Sequence, residues 1–189
     1  MLTTIIIAAI VVIALVWGVA IYNRLVRLRA LVKEGFSGIT VQLRRRADLV
    51  PNLVSTVEGY AAHERGVLTE VTAHRTDATN ASGVAATAQA DSAFTGMLGR
   101  LMAVAEAYPE LKADANFRQL QSELSEIEEQ LQGARRYYNA TVRDLNSSIQ
   151  SFPNVLFARP LGFSEAEFYT DADASIQHAP QVRFGAAES

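Results

Sequence analysis

Histidine and glutamate side chains between residues 63 and 74 are the first candidates for chemistry, because these residue types bind zinc. His63 and Glu64 match the start of the metalloprotease motif H-E-x-x-H, but its second histidine would stand at position 67, which is Val67. His63, Glu70 and His74 share one helical face, yet His63 and His74 would lie about 16 Å apart along a helix. The sequence therefore predicts no metal site.

Three consecutive arginines at residues 44–46 could form a nucleic-acid or membrane patch. The chain is net acidic, with a formal charge of −3, and no aromatic residues are interleaved with the arginines. Successive side chains on a helix point about 100° apart, so the three cannot act as one surface. Arg46 lies one turn before Val50, where its stem can pack, and Arg44 pairs most easily with Asp48. We predict a solvated flank with one packed arginine, Arg46; a role in binding a partner or another subunit is the competing interpretation.

Residues 134–139, with the sequence ARRYYN, contain further polar groups beside an apolar face. Tyr138 lies on the face that the periodicity assigns to the core, while Arg135 and Asn139 share a neighbouring edge. Such groups can form a buried or half-buried network that fixes the register of packed helices. The predicted members of this network are Arg46, Asp48, Asn52, Glu64, Arg135 and Asn139.

Other catalytic patterns are missing from the sequence. It contains no cysteine, which excludes disulfides, thiolate catalysis and cysteine-ligated metals. No Ser-His-Asp arrangement, glycine-rich phosphate loop or pair of acid/base carboxylates stands out. We predict a protein that is not an enzyme, with no cofactor, no small-molecule substrate and no nucleic-acid partner.

The N-terminus contains the clearest pattern in the sequence. Residues 2–21 include no charged side chain and are long enough to cross about 30 Å of hydrocarbon as a helix. A cleaved signal peptide fits poorly, because no basic residue precedes the run and no A-x-A-like site precedes a polar start. Ala14 and Gly18 form a small-xxx-small pair, which allows two helices to approach closely in lipid. We predict a single-pass membrane anchor at residues 1–22.

The orientation of this anchor follows from the charges around it. The basic residues that follow the span lie within the window of about 15–20 residues that determines topology, and none precedes it. The C-terminal part is therefore predicted to be cytoplasmic. Trp17 and Tyr22 suit an aromatic belt at the interface. The predicted anchor and interface residues are Ala14, Trp17, Gly18, Tyr22, Arg24, Arg27 and Arg29.

Three long helical patterns follow the span. The first extends to Val71, with a kink or break expected near Val50 because of Pro51. Residues 76–87 indicate a loop, residues 90–108 a second helix, and residues 117–152 a third helix behind a capping box at Asn116. The third pattern is sustained enough to predict helix-on-helix packing at about +20°. We predict a helical bundle at residues 23–152 and an irregular segment at 153–189, with one short helix capped by Ser164.

Several of these stretches together resemble the LemA family of bacterial membrane proteins. They are YNRLVRLRALVKEGFSGITVQLRRRADLVPNLVSTVEGYAAHE, YPELKADANFRQLQSELSEIEEQL, ARRYYNATVRDLNSSIQSFP, LGFSEAEFY and APQVRF. Phe36 stands where family members often have Trp. The resemblance implies an all-α protein with one transmembrane helix and a bundle of long antiparallel helices, in the bacterial inner membrane. It implies no reaction, and one related branch is associated with membrane-organelle formation in magnetic bacteria.

These observations predict a membrane-anchored protein that acts through assembly rather than catalysis. The first hypothesis is a self-assembling scaffold or membrane-organising homo-oligomer, with contacts along the span and the helix at residues 25–43. The alternative is an accessory or adaptor subunit for another membrane protein, such as a protease or transporter. Self-association distinguishes the two, because the adaptor does not require it.

Overall fold

The computed structural model describes residues 1–61 and 63–170, without the side chain of Ala14. The predicted all-α fold is confirmed: an apolar N-terminal helix is followed by further helices, and the described residues contain no strand. The last part of the predicted irregular segment, residues 171–189, lies outside the described residues. The helices are α1 (Leu2–Glu58), α2 (Arg65–Asn80), α3 (Val84–Glu106), α4 (Pro109–Ala113), α5 (Ala115–Gln150) and α6 (Asn154–Phe157).

Helix α1 extends from the apolar N-terminus into the core of the bundle without interruption. Residues 2–20 of α1 are part of a stretch long and apolar enough to cross a membrane, and none of those whose side chains are described is buried against the rest of the chain. Burial begins at Ile21 and is complete at Leu25, which packs against Leu145 and Ile149 of α5. The predicted anchor and the predicted bundle therefore share one helix, with no linker between them.

Pro51 lies inside α1, and the helix is not broken there. Proline has no N–H, so the carbonyl of Ala47, four residues earlier, loses its usual helical donor. The Nε of Arg75 in α2 donates to that carbonyl at 2.8 Å. An arginine from the neighbouring helix thus satisfies the group that the proline leaves open, which explains why the expected break does not occur.

Two helix boundaries differ from those predicted. Helix α1 ends at Glu58 rather than continuing to Val71, because the chain reverses direction between Glu58 and Arg65, where α2 begins. Residues on both sides of this reversal, Val57 and Leu68, face the same core, so the apolar spacing continues through it. The loop expected at residues 76–87 shrinks to residues 81–83, because Ala78 packs against the core and the end of α2 stays helical.

Helix α5 runs antiparallel to α1 along most of its length. Its start lies beside the end of α1, where Tyr60 donates to Asp114 at 3.2 Å, and its end lies beside Ile21. Asp114, rather than the expected box at Asn116, caps the helix by accepting from the Phe117 N–H at 2.9 Å. A Cβ on Gly35 would stand only 3.1 Å from the Cα of Tyr138, so this glycine allows the two helices to approach closely.

The hairpin of α2 and α3 covers only the far end of the α1–α5 pair. Its apolar side chains join the last part of α1, from Ala47 to Val57, and the start of α5 in one core cluster, which includes Phe94, Leu101 and Phe117. Two further clusters occupy the α1–α5 seam toward the membrane side, and both include residues of the C-terminal segment. The apolar core therefore follows the α1–α5 pair, but the elements that cover it differ between the two ends of that pair.

The segment after α5 forms the short α6 and then irregular chain along α5. The short helix expected behind Ser164 is not formed; residues 163–170 have no regular secondary structure. The reason lies in α5, whose side chains bond to the backbone of this segment, as described below. We call residues 163–170 the strap.

Candidate functional site

A buried cluster of charges lies where α1, α3, α5 and the strap meet. The Asp91 carboxylate on α3 forms ion pairs with Arg46 of α1 through one oxygen and with Arg135 of α5 through the other. Asp91 is 1% exposed and Arg46 is 2% exposed, so neither group is hydrated by bulk water. Burial of these charges is tolerable only because they are paired and hydrogen-bonded.

Other groups complete the coordination of Arg46. Its Nη1 donates to Glu128 Oε2 of α5 at 3.0 Å and to Thr95 Oγ1 at 3.1 Å, and its guanidinium lies 5.1 Å from the centre of the Phe94 ring. Glu128 is partly exposed. Two arginines thus face two carboxylates, and the cluster as a whole has no formal net charge.

Tyr169 connects the strap to this cluster. Its hydroxyl donates to Asp91 Oδ2 at 2.6 Å, and its ring lies 5.5 Å from the Arg135 guanidinium. Burial, with the Asp91 charge second, raises the pKa of Tyr169 well above its ordinary value. The phenol therefore stays a hydrogen-bond donor across the physiological range, and the strap is fixed to three helices at once.

Two asparagines of α5, two helical turns apart, hold the strap by its backbone. Asn139 donates to the Tyr169 carbonyl and accepts from the Tyr169 N–H, both at 2.9 Å. Asn146 bonds the carbonyl and N–H of Ala166 in the same way, at 2.9 and 2.8 Å. A carboxamide offers one donor and one acceptor side by side, so it satisfies the backbone of an extended residue as a neighbouring strand would. These bonds replace the helix expected in this segment.

The arrangement is suited to holding elements together rather than to acid or base catalysis. Both Asp91 oxygens already accept from buried donors, and a general base must reach the proton that it abstracts from a substrate. A buried, hydrogen-bonded network of this kind favours one register between helices.

The predicted polar network is brought together only in part. Arg46 and Arg135 converge on Asp91, and Asn139 binds the strap beside them. Asp48 is exposed and faces Arg75 at 3.9 Å, since it lies on the outer face of α1.

The remaining predicted members lie elsewhere. The Asn52 side chain is exposed, and it is the Asn52 carbonyl that accepts from Ser55 and Thr56. Glu64 immediately precedes α2. Neither residue contributes to the cluster around Asp91.

Asp91 and Tyr169 were missing from the predicted network, although the sequence contains a signal for the first. Phe94, Leu98 and Leu101 are buried at helical spacing, and one turn before Phe94 the same face contains Asp91. A single carboxylate on an apolar face indicates a buried partner of opposite charge. For Tyr169 no local pattern exists, because its position depends on how the strap crosses α5.

The predicted membrane-interface residues divide into two groups. Tyr22 and Arg29 are exposed but contact Phe163 of the strap: the Tyr22 ring lies 5.6 Å from the Phe163 ring, edge to face, and the Arg29 guanidinium lies 5.0 Å from its centre. Arg24 and Arg27 are exposed.

Trp17 and Gly18 of α1 line an apolar cleft against the chain after α6. No described atom lies within 4 Å of where a Cβ on Gly18 would stand. This face of the span is therefore open to another helix or to lipid.

The histidines and Glu70 do not form a metal-binding group. Glu70 binds Arg100 of α3 at 3.2 Å, and His74 faces Asp77 at 4.0 Å. In the part of the chain that the structure describes, no three histidine or carboxylate side chains lie together as metal ligands would.

Comparison with known proteins gives a consistent family assignment. A model described as the LemA family matches residues 35–184. Magnetosome protein MamQ 2 of Paramagnetospirillum magneticum is 27% identical over 81% of this chain and 66% of its own length. Magnetosome protein MamQ of Magnetospirillum gryphiswaldense is 24% identical with the same coverage. Protein LemA of Metamycoplasma hominis is 28% identical over 69% of this chain and 60% of its own length.

The chain therefore spans just under two thirds of the length of these relatives. The family match begins at Gly35, where α1 and α5 approach most closely, and includes Asp91, both asparagines and the strap. The resemblance seen in the sequence is thus confirmed, and the chain belongs to the LemA family.

Proposed function

We propose that this protein is a non-enzymatic, membrane-anchored scaffold that self-assembles to organise the inner membrane of a bacterium, with its bundle in the cytoplasm. One observation supports this most directly: α1 is a single helix of 57 residues whose bare apolar part continues into the bundle core. Such a protein holds a bundle at a fixed place on the membrane. Relatives that bear the name magnetosome protein support a membrane-organising role.

The contact surface for assembly is narrower than the sequence suggested. Leu25, Ile39 and Leu43 are buried against α5 and the strap, so the apolar face of α1 above the membrane is already used within the bundle. Arg46 is also buried and cannot form a charged rim. We therefore propose the span as the contact, with the pair Ala14 and Gly18 at its centre. In lipid, small residues favour association because the helix backbones can approach closely.

Cysteine cross-linking in the membrane tests this assembly. The chain has no native cysteine, so Gly18→Cys introduces a single thiol into the full-length protein. We expect oxidation to give covalent dimers, and native mass measurement in nanodiscs to give more than one copy per particle. Gly18→Leu should abolish the oligomer, because its side chain prevents close approach. Val16→Leu, on the opposite face of the span, is the matched control and should leave assembly unchanged.

A monomer in nanodiscs, with no cross-linking at position 18, would refute self-assembly. The second candidate, an adaptor for another membrane protein such as a protease or transporter, would then be preferred. It is favoured by the exposed groove between α1 and α5, where Val41 and Tyr137 present apolar surface beside Gly38. Tyr137→Glu should then weaken binding to the partner without changing the monomeric state.

The proposed cytoplasmic orientation of the bundle is tested separately. Ser125 is exposed on α5, and Ser125→Cys can be labelled by a maleimide that does not cross membranes. We expect no labelling in cells with a permeabilised outer membrane and full labelling after lysis, because basic residues after a span stay on the cytoplasmic side. Labelling before lysis would refute the cytoplasmic orientation. Replacing Arg24, Arg27, Arg29 and Lys33 with Gln should give mixed orientations.

A further inference from the structure

The turn that follows α5 exposes an unusual amount of apolar surface. Phe152 is 81% exposed and Leu156 is 59% exposed, and Val155, Phe157 and Leu161 are also exposed. Five large apolar side chains are thus exposed within ten residues, and exposed apolar surface concentrated in this way marks interaction sites. We call residues 152–161 the apolar turn.

The apolar turn lies beside the end of the membrane span. Because α5 is antiparallel to α1 and Ile149 packs near Ile21, the chain leaves α5 at the level where the bare part of α1 ends. Phe157 and Leu161 then lie across an open, apolar cleft of about 670 Å³ from α1 residues between Val11 and Tyr22. Ten residues of helix separate Val11 from Ile21, so the cleft reaches about 15 Å below the boundary of the bundle.

Exposed basic side chains lie in the apolar turn and at the start of the part of α1 that packs in the bundle. Arg159 is exposed in the apolar turn itself, and Arg24 and Arg27 are exposed on α1 just above the span. Segments that lie in a membrane interface combine apolar and basic side chains in this way, and their apolar side chains enter the bilayer by about 5–10 Å. The cations then lie at the depth of anionic headgroups.

We infer that the apolar turn inserts into the headgroup and acyl boundary of the bilayer that α1 crosses. This inference rests on the membrane-anchored part of the proposed function and is independent of self-assembly. We base the inference on the position of the apolar turn, whose exposed apolar surface adjoins that of the span. The protein is thereby attached to one leaflet at two points, the α1 helix and the apolar turn.

Fluorescence quenching by brominated lipid tests this insertion in the full-length protein. Trp17 is the only tryptophan, so Trp17→Phe gives a background without tryptophan. Into it we introduce Leu156→Trp, or Phe152→Trp as a second probe at an even more exposed site. The matched control is Val41→Trp, 52% exposed on α1 and about 30 Å above Ile21. The vesicles contain phosphatidylcholine and phosphatidylglycerol, with bromine near the top of the acyl chains.

We expect the probes at 156 and 152 to lose at least about half of their emission, as side chains at the acyl boundary should, while Val41→Trp is unaffected. The fraction of tryptophan emission that is quenched should stay the same when the ratio of protein to lipid is varied. Probes that behave like Val41→Trp would overturn the inference, and so would blue-shifted emission without quenching, which would mean that a second copy or the protein itself covers the turn. Quenching of the native Trp17 separates the outcomes: if it persists, only the insertion fails, and if it is absent, the anchor fails as well.

Discussion

The two ends of the α1–α5 pair are stabilised in different ways. At the distal end, α1 residues 47–58 are enclosed by α2, α3 and the start of α5, and the side chains between them form an extensive apolar core. At the proximal end, residues 21–43 of α1 pack against α5 and the C-terminal segment, and one side of the pair remains open. Close approach at Gly35 and bonds from asparagines to the strap backbone add to the two smaller apolar clusters there.

This contrast shows how one helix pair can combine a rigid fold with a surface for the membrane. Enclosing the proximal end with a further hairpin would bury the apolar turn and the face of α1 beside it. An extended strap needs less space than a helix, and side-chain amides satisfy its backbone. The charge cluster around Asp91 lies between the distal apolar core and the proximal end that the strap covers. Substitutions in this cluster should therefore destabilise both ends more than substitutions elsewhere.

The largest expected effect is therefore at Asp91. Asp91→Ala removes the carboxylate that Arg46 and Arg135 share and leaves two buried cations with only partly exposed Glu128 as counter-charge. We expect a loss of about 3–5 kcal/mol in the free energy of unfolding, the usual cost of an uncompensated buried charge. Urea unfolding of the detergent-solubilised protein, followed by circular dichroism, measures it. Asp48→Ala, at the exposed pair with Arg75, should cost no more than about 1 kcal/mol.

A direct comparison of the two ends uses one leucine from each. Leu101 is fully buried in the distal core, and Leu101→Ala should cost about 2–5 kcal/mol through lost burial and a cavity. Leu156 in the apolar turn is largely exposed, so Leu156→Ala in detergent should change stability by less than about 0.5 kcal/mol. Equal losses in the same unfolding assay would mean that the proximal surface is packed and not available to lipid.

The strap should show an intermediate effect. Asn146→Ala removes both bonds to Ala166, which we expect to cost about 1–3 kcal/mol at the usual net value of each hydrogen bond. Amide hydrogen exchange should become faster at Ala166 first, because the strap is loosened locally before the helices separate. The neighbouring Ser147→Ala, on the exposed face of α5, serves as the control. Unchanged exchange at Ala166 would contradict the role of Asn146.

The smallest expected effect concerns the proline in the distal half. Arg75→Leu leaves the Ala47 carbonyl without a donor when Pro51 is present, which should cost about 1–2 kcal/mol. In a Pro51→Ala background the new N–H takes over that carbonyl, so the same arginine change should cost less. A double-mutant cycle would then give a coupling energy of about 1 kcal/mol between the two positions. A coupling near zero would show that the proline and the arginine act independently.

Sequence reasoning was reliable where a pattern extends over many residues. The span, the three long apolar faces and the family resemblance each depend on such patterns, and the α-helical class and the LemA assignment are confirmed. The chain reversal between Glu58 and Arg65 was missed because α1 and α2 present their apolar residues to one shared core, so the spacing does not change there. Residues 76–80 were assigned to a loop from their composition, although tertiary packing keeps them helical.

Contacts between distant segments could not be predicted in the same way. Asp91 could have been noticed as a carboxylate on an apolar face, but its two arginines lie 45 and 44 residues away. Asp48 and Glu64 were expected to meet Arg135 and Asn139 across the bundle, but helical spacing does not show which residues of two antiparallel helices lie opposite one another. The function of Asn139 and Asn146 as backbone partners of the strap depends on a segment without secondary structure, and such a segment has no periodicity to reveal its path.

The continuity of α1 gives the molecule a mechanical property. From Ile21 to Glu58 the helix extends about 55 Å beyond the membrane boundary. A transmembrane helix changes its inclination when the thickness of the surrounding bilayer changes. With no hinge between span and bundle, a change of about 10° would displace the distal end by about 10 Å. The bundle thus acts as a lever arm that converts a small difference in bilayer thickness into a large movement of its α2–α3 end.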